Sequence, residues 1–342
     1  MQIYTGLDLS RNRLDWHALS IEGTLVDAGA VPPDPDGLAQ LVRRLGDASV
    51  LAVVEVMNGA RFVHDQLELR GWDVRLADPQ RSRALAPLAC KTDRIDAWVL
   101  AELARRDLVP EVWLPDPAVR AERERARFRM HLVKHRTMLK NRIHQTLIAH
   151  GYPRSNAGLF TQKGRARLAS VDLPDPWQGT LQATLILIET LDEQIDKLEL
   201  ELRQLGADHR YVPLLCTVPG IAWILAYTIA SEIGDIARFA SPRKLIGYTG
   251  LCPRVYQSGE QDRRGALSKH GPNYLRWALI EAAHTAARYS PYRQLVDRHR
   301  ARHGRRRGTA IAAVTIARKH AEAIWWMLTR NQPFAPAGAE SA

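Results

Sequence analysis

The sequence predicts an α/β N-terminal domain with a mixed sheet, a basic helical coiled-coil segment, and a mostly helical C-terminal region. Three observations predict this organisation. Strand and helix patterns alternate over the first hundred residues, a heptad pattern runs through residues 180–205, and glycine and proline turns separate apolar stretches after residue 211. A chain of 342 residues has room for about two or more domains. We place the boundaries at residues 1–112, 113–206 and 207–342.

The order of elements in the first region indicates an α/β domain. Residues 50–56 form an unbroken apolar, β-branched run, which is typical of a strand buried on both faces. Three strands, a helix, a strand, a helix and a strand is the order of the ribonuclease-H-like fold. The predicted strands are Gln2–Ser10, Arg13–Ile21, Thr24–Val31, Val50–Val56 and Asp73–Ala77, and the predicted helices are Gly37–Leu45 and Arg61–Arg70.

The composition is that of a globular protein, with 46% hydrophobic and 25% charged residues, which excludes disordered, collagen-like and disulfide-scaffold chains. Lys and Arg number 48 against 37 Asp and Glu, a net charge of +11. This excess predicts a polyanionic partner, and nucleic acid is favoured over an anionic membrane surface. The cysteines are far apart and lack CxxC spacing, so we expect reduced, buried thiols in a cytosolic protein. They are Cys90, Cys216 and Cys252.

Two segments bear on export and membrane insertion. Asp8 and Arg11 stand where a signal peptide needs an apolar core, so no export is indicated. Residues 211–231 carry no charge, but Pro213 and Pro219-Gly220 would break a membrane-spanning helix. We therefore expect a buried helical hairpin there. Residues 218–221 resemble the turn of a helix-hairpin-helix, whose N–H groups can hold a phosphate, although a packing turn fits equally well.

Positive charge concentrates in two places. The predicted helix at 119–150 has nine Lys or Arg against two Glu between Arg120 and Arg142, which favours a phosphate-contacting surface over a solvated helix face. Residues 293–307 hold seven Arg against Asp297 alone.

The heptad pattern lies in the predicted helix at 180–205. It could pack against the preceding helix as an internal hairpin, or it could dimerise. The seam positions are Leu181, Thr184, Ile188, Leu191, Ile195, Leu198, Leu202 and Leu205.

Four carboxylates are candidates for chemistry. Asp8 and Glu55 lie in predicted buried strands, where an ionised carboxylate is costly unless it is paired or binds a metal. Asp93 and Asp96 are three residues apart on a predicted helix and share a face. The helical pair alone fits an N-terminal cap. Four acids on three elements are better explained by a two-Mg²⁺ site for phosphoryl displacement, as in a nuclease or strand-transfer enzyme.

These residues resemble a known family. Gly6-Leu7-Asp8-Leu9-Ser10, Glu55 and Lys91-Thr92-Asp93-Arg94-Ile95-Asp96-Ala97 resemble the Asp-Glu-Asp-Asp, RuvC-like domain of the insertion-sequence recombinases related to the Piv DNA invertase. The C-terminal half is similar to the family's second domain. The motifs there, in order, are Val218-Pro219-Gly220-Ile221, Glu232-Ile233-Gly234-Asp235, Phe239, Gly247-Tyr248-Thr249-Gly250-Leu251, Pro253-Arg254, Ser258-Gly259 and Ser268-Lys269-His270-Gly271.

The resemblance implies a Mg²⁺-dependent transposase guided by a bridge RNA that pairs with donor and target DNA. Ser258 matches the serine nucleophile of the family, which forms a covalent phosphoserine intermediate, and Asp8, Glu55, Asp93 and Asp96 would hold the metal. It also implies a homo-oligomer, dimer or tetramer, with no membrane partner and a place in the cytoplasm at the nucleoid. Residues 119–205 would serve RNA binding and self-association.

The residues around Ser258 suit phosphate chemistry, but they do not single it out. Gly259 permits close approach, and Tyr256 is either a rival nucleophile or a packed aromatic. Lys269 and His270 are phosphate contacts or solvated residues. The arginines that could neutralise a phosphate are Arg254, Arg263 and Arg264.

Two other functions remain open at this point. One is a RuvC-like metal-dependent nuclease without a covalent step, such as a junction resolvase. The other is a catalytically silent nucleic-acid-binding protein, against which the presence of all four acids and Ser258 argues.

Overall fold

The computed structural model describes residues 1–85, 92–152, 158–258 and 261–335. It divides into two compact units, Met1–Leu114 and Pro115–Ala342. Cys90, Lys91 and Gly259, which entered the sequence predictions, lie outside the described residues.

The described part of the first unit contains a five-stranded mixed sheet of order β3-β2-β1-β4-β5. β1 pairs antiparallel with β2 and parallel with β4, and β5 extends the parallel side. The sheet confirms the predicted α/β class and the order of elements. Its strands are β1 (Gln2–Leu9), β2 (Leu14–Leu19), β3 (Leu25–Val31), β4 (Ser49–Glu55) and β5 (Asp73–Ala77).

Helices cover both faces of this sheet. The apolar stripes of α1 and α2 pack on one face, and α4 packs on the other, against the side chains of Leu51 and Val53. β4 is therefore buried on both sides from Val50 to Val54, as its sequence predicts. The strand ends at Glu55, and Val56 is exposed. The helices of this unit are α1 (Pro35–Leu45), α2 (Ala60–Glu68), α3 (Pro79–Leu85) and α4 (Asp93–Arg105).

The second unit is mainly helical around a core formed by α9, α11 and α13. It also holds an antiparallel hairpin, β6 and β7, which the sequence pattern did not predict. The helices are α5 (Pro117–Ala149), α6 (Gln162–Ala169), α7 (Trp177–Ala207), α8 (Val212–Leu215), α9 (Trp223–Ile233), α10 (Pro242–Tyr248), α11 (Asn273–Ala286), α12 (Tyr292–His303) and α13 (Arg305–Arg330), and the strands are β6 (Pro253–Ser258) and β7 (Gln261–Leu267).

The heptad seam of α7 packs against α5 within the chain. Its buried positions are Leu181, Thr184, Ile188, Ile195, Leu202 and Gly206. The prediction was wrong at the last position, because Leu205 is 44% exposed and Gly206 takes the buried place. The step from Leu202 to Gly206 spans four residues, so the buried stripe turns away from Leu205.

The basic residues of α5 are largely used inside the protein. Arg125 and Arg136 pair with Glu201 and Asp192 of α7, at 2.8 and 2.7 Å. Arg129 pairs with Glu199 in the same way. These ion pairs weaken the interpretation of the helix as a phosphate-contacting surface along its length, because these three arginines already meet carboxylates.

The uncharged stretch at 211–231 forms α8 and most of α9, joined by the turn at Pro219-Gly220. Within the described residues, no helix is both long and apolar enough to cross a bilayer. Gly220 has a φ of +85°, and a Cβ there would lie 2.3 Å from the carbonyl oxygen of Ala282 on α11. This close approach favours the packing interpretation of the turn over a phosphate-binding one.

Candidate active site

Asp8 and Glu55 lie at the same edge of the central sheet. The parallel ladder pairs Leu7 with Val54, so Asp8 and Glu55 follow at the next position of their strands. Facing residues of neighbouring strands project to the same side of a sheet, and here that side is the one covered by α4. Both side chains are half-buried.

Gly6 brings α4 directly onto β1. A Cβ at Gly6 would lie 1.9 Å from the carbonyl oxygen of Ala97 and 2.5 Å from the amide nitrogen of Ala101, so only glycine permits this contact. Since Asp8 is two residues beyond Gly6 on the same face, the first turns of α4 lie beside its carboxylate. Asp93 and Asp96 are thereby placed at the edge that carries Asp8 and Glu55.

Thr92, rather than either aspartate, caps α4. The amide of Ile95 donates to its Oγ1 at 3.3 Å. The acids are therefore not needed as caps, although negative charge is well tolerated in a first turn. This removes the main structural explanation for Asp93 and Asp96.

A fifth carboxylate at this edge, Asp15, was not predicted from the sequence. It lies on β2 directly opposite Asp8 and is only 8% exposed. Arg13 donates to both of its oxygens, at 2.7 and 2.8 Å. Hydrogen bonding to Asp15 raises the pKa of Arg13, and the carboxylate of Asp93 adds to the rise, so Arg13 lies among the acids. The signal was the alternation of Arg13, Asp15 and His17 along one strand face.

His17 faces the same side of the sheet. Burial lowers the pKa of its imidazole, and the positive charge of Arg94 in the first turn of α4 lowers it further. His17 is therefore neutral near pH 7 and adds no cation to this edge.

The donor set suits a hard divalent cation, since carboxylate oxygens are the ligands that Mg²⁺ prefers. Within the described residues, however, no three Asp, Glu, His or Cys side chains lie close enough together to hold a metal ion. The residues therefore fit a divalent cation by the chemistry of their oxygen atoms and by their common location at the sheet edge. Three of the carboxylates would have to move closer to share one ion.

The second candidate site is the β6–β7 hairpin. Its backbone register pairs Ser258 with Gln261, which places Ser258 at the last position of β6. The side chains of Ser258 and Arg264 lie outside the described structure.

The other predicted contacts of the hairpin are distributed along it and its base. Tyr256 is 69% exposed, so it is not a packed aromatic within the described chain. Arg263 pairs with Tyr256 across the ladder, and both Arg263 and Arg254 are exposed. Lys269 and His270, at the base, are both exposed.

Two glycines lock the base of this hairpin. A Cβ at Gly271 would lie 2.0 Å from the carbonyl oxygen of Tyr248, and one at Gly250 would lie 2.3 Å from that of His270. The amide of Ser268 donates to the carbonyl of Cys252 at 2.8 Å. The segments 247–251 and 268–271 are therefore one interlocked structure that presents the hairpin.

Comparisons with known proteins bear directly on both sites. The profile of the transposase IS116/IS110/IS902 family matches residues 212–297, which include the hairpin. A second transposase profile, that of the Asp-Glu-Asp-Asp domain of IS110 elements, matches residues 5–150, which include the acidic edge of the sheet. Over both candidate sites the chain is thus similar to the IS110/IS116/IS902 insertion-sequence transposases.

Relatives with this description align over most of the chain. A probable family 20 transposase of Pseudomonas aeruginosa is 28% identical over 84% of this chain and 86% of its own length. The transposase of insertion sequence IS1111A from Coxiella burnetii is 28% identical over 86% and 82%. The transposase of IS1328 from Yersinia enterocolitica is 29% identical over 83% and 85%. These similarities confirm the family resemblance seen in the motifs, at the level of an insertion-sequence transposase.

Proposed function

We propose that this chain is a Mg²⁺-dependent DNA transposase that breaks and rejoins DNA through a phosphoserine at Ser258. The observation that carries the proposal is the gathering of Asp8, Glu55, Asp93 and Asp96 at one edge of the sheet, in a chain similar to a transposase family. Bound Mg²⁺ would polarise a phosphate and stabilise the departing oxygen. Asp8 and Glu55 would hold it from the strands, and Asp93 and Asp96 from α4.

In the proposed reaction the hydroxyl oxygen of Ser258 attacks a DNA phosphorus atom. An oxygen–phosphorus bond forms, the bond from phosphorus to one deoxyribose oxygen breaks, and the serine proton leaves to solvent while the departing oxygen is protonated. Presentation of Ser258 at the end of an exposed hairpin with a locked base supports this role. Exposed Arg263 and Lys269 on that hairpin and its base are suited to phosphate contacts.

The proposal extends to guidance and assembly. A bridge RNA would select donor and target DNA by base pairing, with the protein contacting backbone and shape. The protein would act as a homo-oligomer in the cytoplasm, at the nucleoid. The motifs of both halves support these features through the family resemblance.

A metal-dependent nuclease without a covalent step is the second candidate. The acidic edge of the sheet favours this candidate, because all five carboxylates lie on β1, β2, β4 and α4, and a metal ion held there could cleave DNA without Ser258. A silent nucleic-acid-binding protein is a third outcome of the same test.

The deciding experiment combines the protein, RNA transcribed from the flanking element, labelled donor and target DNA, and Mg²⁺. A DNA–protein adduct is sought on a denaturing gel with the wild type, Ser258→Ala and Asp8→Asn. We expect an adduct that both substitutions abolish. Matched controls are Ser49→Ala and Asp47→Asn, which change an exposed serine and an exposed aspartate at the start of β4, at the opposite end of that strand from Glu55.

The other outcomes are distinct. Free cut ends that persist in Ser258→Ala, with no adduct, would establish the nuclease and refute the phosphoserine. Binding of DNA and RNA without any Mg²⁺-dependent break would leave a silent binding protein.

A further inference from the structure

A dense group of arginines lies where α12 turns into α13. Between Arg293 and Arg307 there are seven arginines and one acid, Asp297. Gly308 lets the two helices touch, because a Cβ there would lie 2.4 Å from the carbonyl oxygen of His299. This contact folds the basic end of α12 against the basic start of α13.

A cavity of about 530 Å³ opens between these helices and the end of α11. Its apolar wall includes Val296 and Ala313. Its polar lining consists of His284, Arg288, Arg293, Asp297, Arg300 and Thr309. Arg288, Arg293 and Arg300 thus border one space together with a single carboxylate, that of Asp297.

Arg300 is held in position at this cavity. Its Nε donates to Oγ1 of Thr309 at 3.0 Å, and that hydroxyl in turn donates to the carbonyl of Arg305 at 2.6 Å. The hydrogen bond through Nε leaves the two Nη groups of Arg300 for a ligand. Thr309 is therefore a positioning residue for the guanidinium.

These arginines differ from those of α5 in having no carboxylate partner. On α5, Arg125, Arg129 and Arg136 each meet an acid of α7. Within the described residues, no ion pair to a carboxylate is formed by the arginines that line the cavity or by those that begin α13, which are Arg288, Arg293, Arg300, Arg305, Arg306 and Arg307. An anion bound between them would offset their mutual repulsion.

The local potential also acts on a neighbouring imidazole. Burial, then the charges of Arg302 and Arg307, lower the pKa of His303. This supports an uncompensated positive field around the cavity.

We propose that the cavity between α11, α12 and α13 binds a backbone phosphate of nucleic acid through Arg288, Arg293 and Arg300. Guanidinium groups match phosphate oxygens with paired hydrogen bonds, and the arginines at the start of α13 would contact the phosphates that follow. The phosphodiester is shared by DNA and RNA, so the test separates them. The inference rests on the proposed function in that nucleic acid is the substrate.

The test measures binding without catalysis. Fluorescence anisotropy is recorded in EDTA with single-stranded RNA, single-stranded DNA and duplex DNA of one sequence, over a range of salt concentrations. The variant combines Arg288→Gln, Arg293→Gln and Arg300→Gln. The charge-matched control combines Arg43→Gln, Arg167→Gln and Arg203→Gln, which are exposed arginines far along the chain from the cavity.

We expect the cavity variant to bind at least about tenfold more weakly near physiological salt, and its log–log salt slope to fall by roughly two. The control should retain the wild-type slope. Loss with RNA only, with DNA only or with both identifies which strand the cavity holds. A cavity variant that keeps wild-type affinity and slope with all three probes refutes the inference.

Two additions keep the result interpretable. Circular dichroism and thermal melting check the fold, and the single Arg293→Glu serves if the triple variant does not fold, with the same expected direction. Because no metal is present and no strand break is read, the outcome is independent of the proposed chemistry. A wild type that forms adducts while the cavity variant binds normally refutes only this inference.

Discussion

Glu232 on α9 is fully buried, and its two carboxylate oxygens accept hydrogen bonds from Arg127 on α5, at 2.7 and 2.9 Å. Arg123 lies 3.9 Å from the same carboxylate and donates to the carbonyls of Ser231 and Glu232. The hydrogen bond to Glu232 raises the pKa of Arg127. This cluster fastens the long helix α5 to the core of the second unit.

Removal of Arg127 should be strongly destabilising. Arg127→Met leaves a buried carboxylate without its main partner, at an expected cost of about 3 kcal/mol in the free energy of unfolding. Urea denaturation measures this. The double variant Arg127→Met with Glu232→Leu should recover part of the loss, because the buried charge is gone. If the double variant recovers none of the lost free energy of unfolding, the pair stabilises the protein through packing and not by neutralising the buried charge.

The matched control is Arg125→Met on the same helix. Arg125 and Glu201 are 38% and 45% exposed, so breaking their ion pair should cost less than about 1 kcal/mol. Equal costs for the two variants would contradict the distinction between buried and exposed pairs.

Arg13 and Asp15 should change cation affinity in opposite directions. Arg13→Gln removes a positive charge beside Asp93 and should strengthen Mn²⁺ binding severalfold, whereas Asp15→Asn leaves that charge unpaired and should weaken it by about tenfold. Mn²⁺ titration followed by electron paramagnetic resonance measures both. Arg44→Gln makes the same charge change at the Arg44–Asp27 pair, where Arg44 lies over Trp16, and should have little effect. Shifts of one sign in both variants would show that Arg13 and Asp15 do not act on the metal site by charge.

Gly271→Ala should disrupt the base of the hairpin. Its φ of +102° disfavours alanine, and the new Cβ would meet the Tyr248 carbonyl, so we expect a loss of at least about 2 kcal/mol. Hydrogen exchange of the β6 and β7 amides should accelerate. Gly247→Ala is the control, since it lies in α10 with nothing within 4 Å and should stabilise by about 0.5–1 kcal/mol. Unchanged exchange in Gly271→Ala would show that the interlocked segments do not support the hairpin.

His320 on α13 should make the protein acid-sensitive. It is fully buried, and both ring nitrogens lack a hydrogen-bond partner within the described residues. Burial lowers its pKa from 6.5 to about 4, so the unfolded chain takes up the proton first as pH falls. The contribution of neutral His320 to the free energy of unfolding should therefore be fully present above about pH 6.5. It should decline by about 3 kcal/mol towards pH 4.

His320→Leu tests this by removing the titrating group. Thermal melting between pH 7 and pH 4 should show a shallower decline than in the wild type. His270→Leu, which removes an exposed imidazole, should keep the wild-type profile. Parallel declines for wild type and His320→Leu would assign the acid sensitivity to other groups.

Sequence patterns predicted the elements that bury apolar residues at regular spacing. Val50–Val54 and the α7 seam follow such patterns, and the strands and long helices were found near their predicted bounds. The β6–β7 hairpin had no such signal, because Val255 and Tyr256 are both exposed and neither face of the ribbon enters a core. Propensity alone cannot locate a strand that is solvated on both sides.

The candidate site was predictable in part for a related reason. Asp8 and Glu55 stood out as charges within apolar strands, but Asp15 looked like an ordinary alternating polar residue until the register placed it opposite Asp8. The ion pairs of the α5 arginines could not be predicted from the sequence either. Their partners lie some seventy positions away in the chain, and only the packing of α7 shows which acids they meet.

The paired charges of the α5–α7 hairpin have a kinetic consequence. A polyanion that meets this long surface finds arginines already neutralised by neighbouring carboxylates, so it gains little by displacing them. Weak contacts of that kind do not trap a diffusing strand. DNA or RNA should instead bind first at the few regions whose positive charge is uncompensated. The high net charge of the protein therefore need not hold nucleic acid in unproductive complexes on the α5–α7 surface.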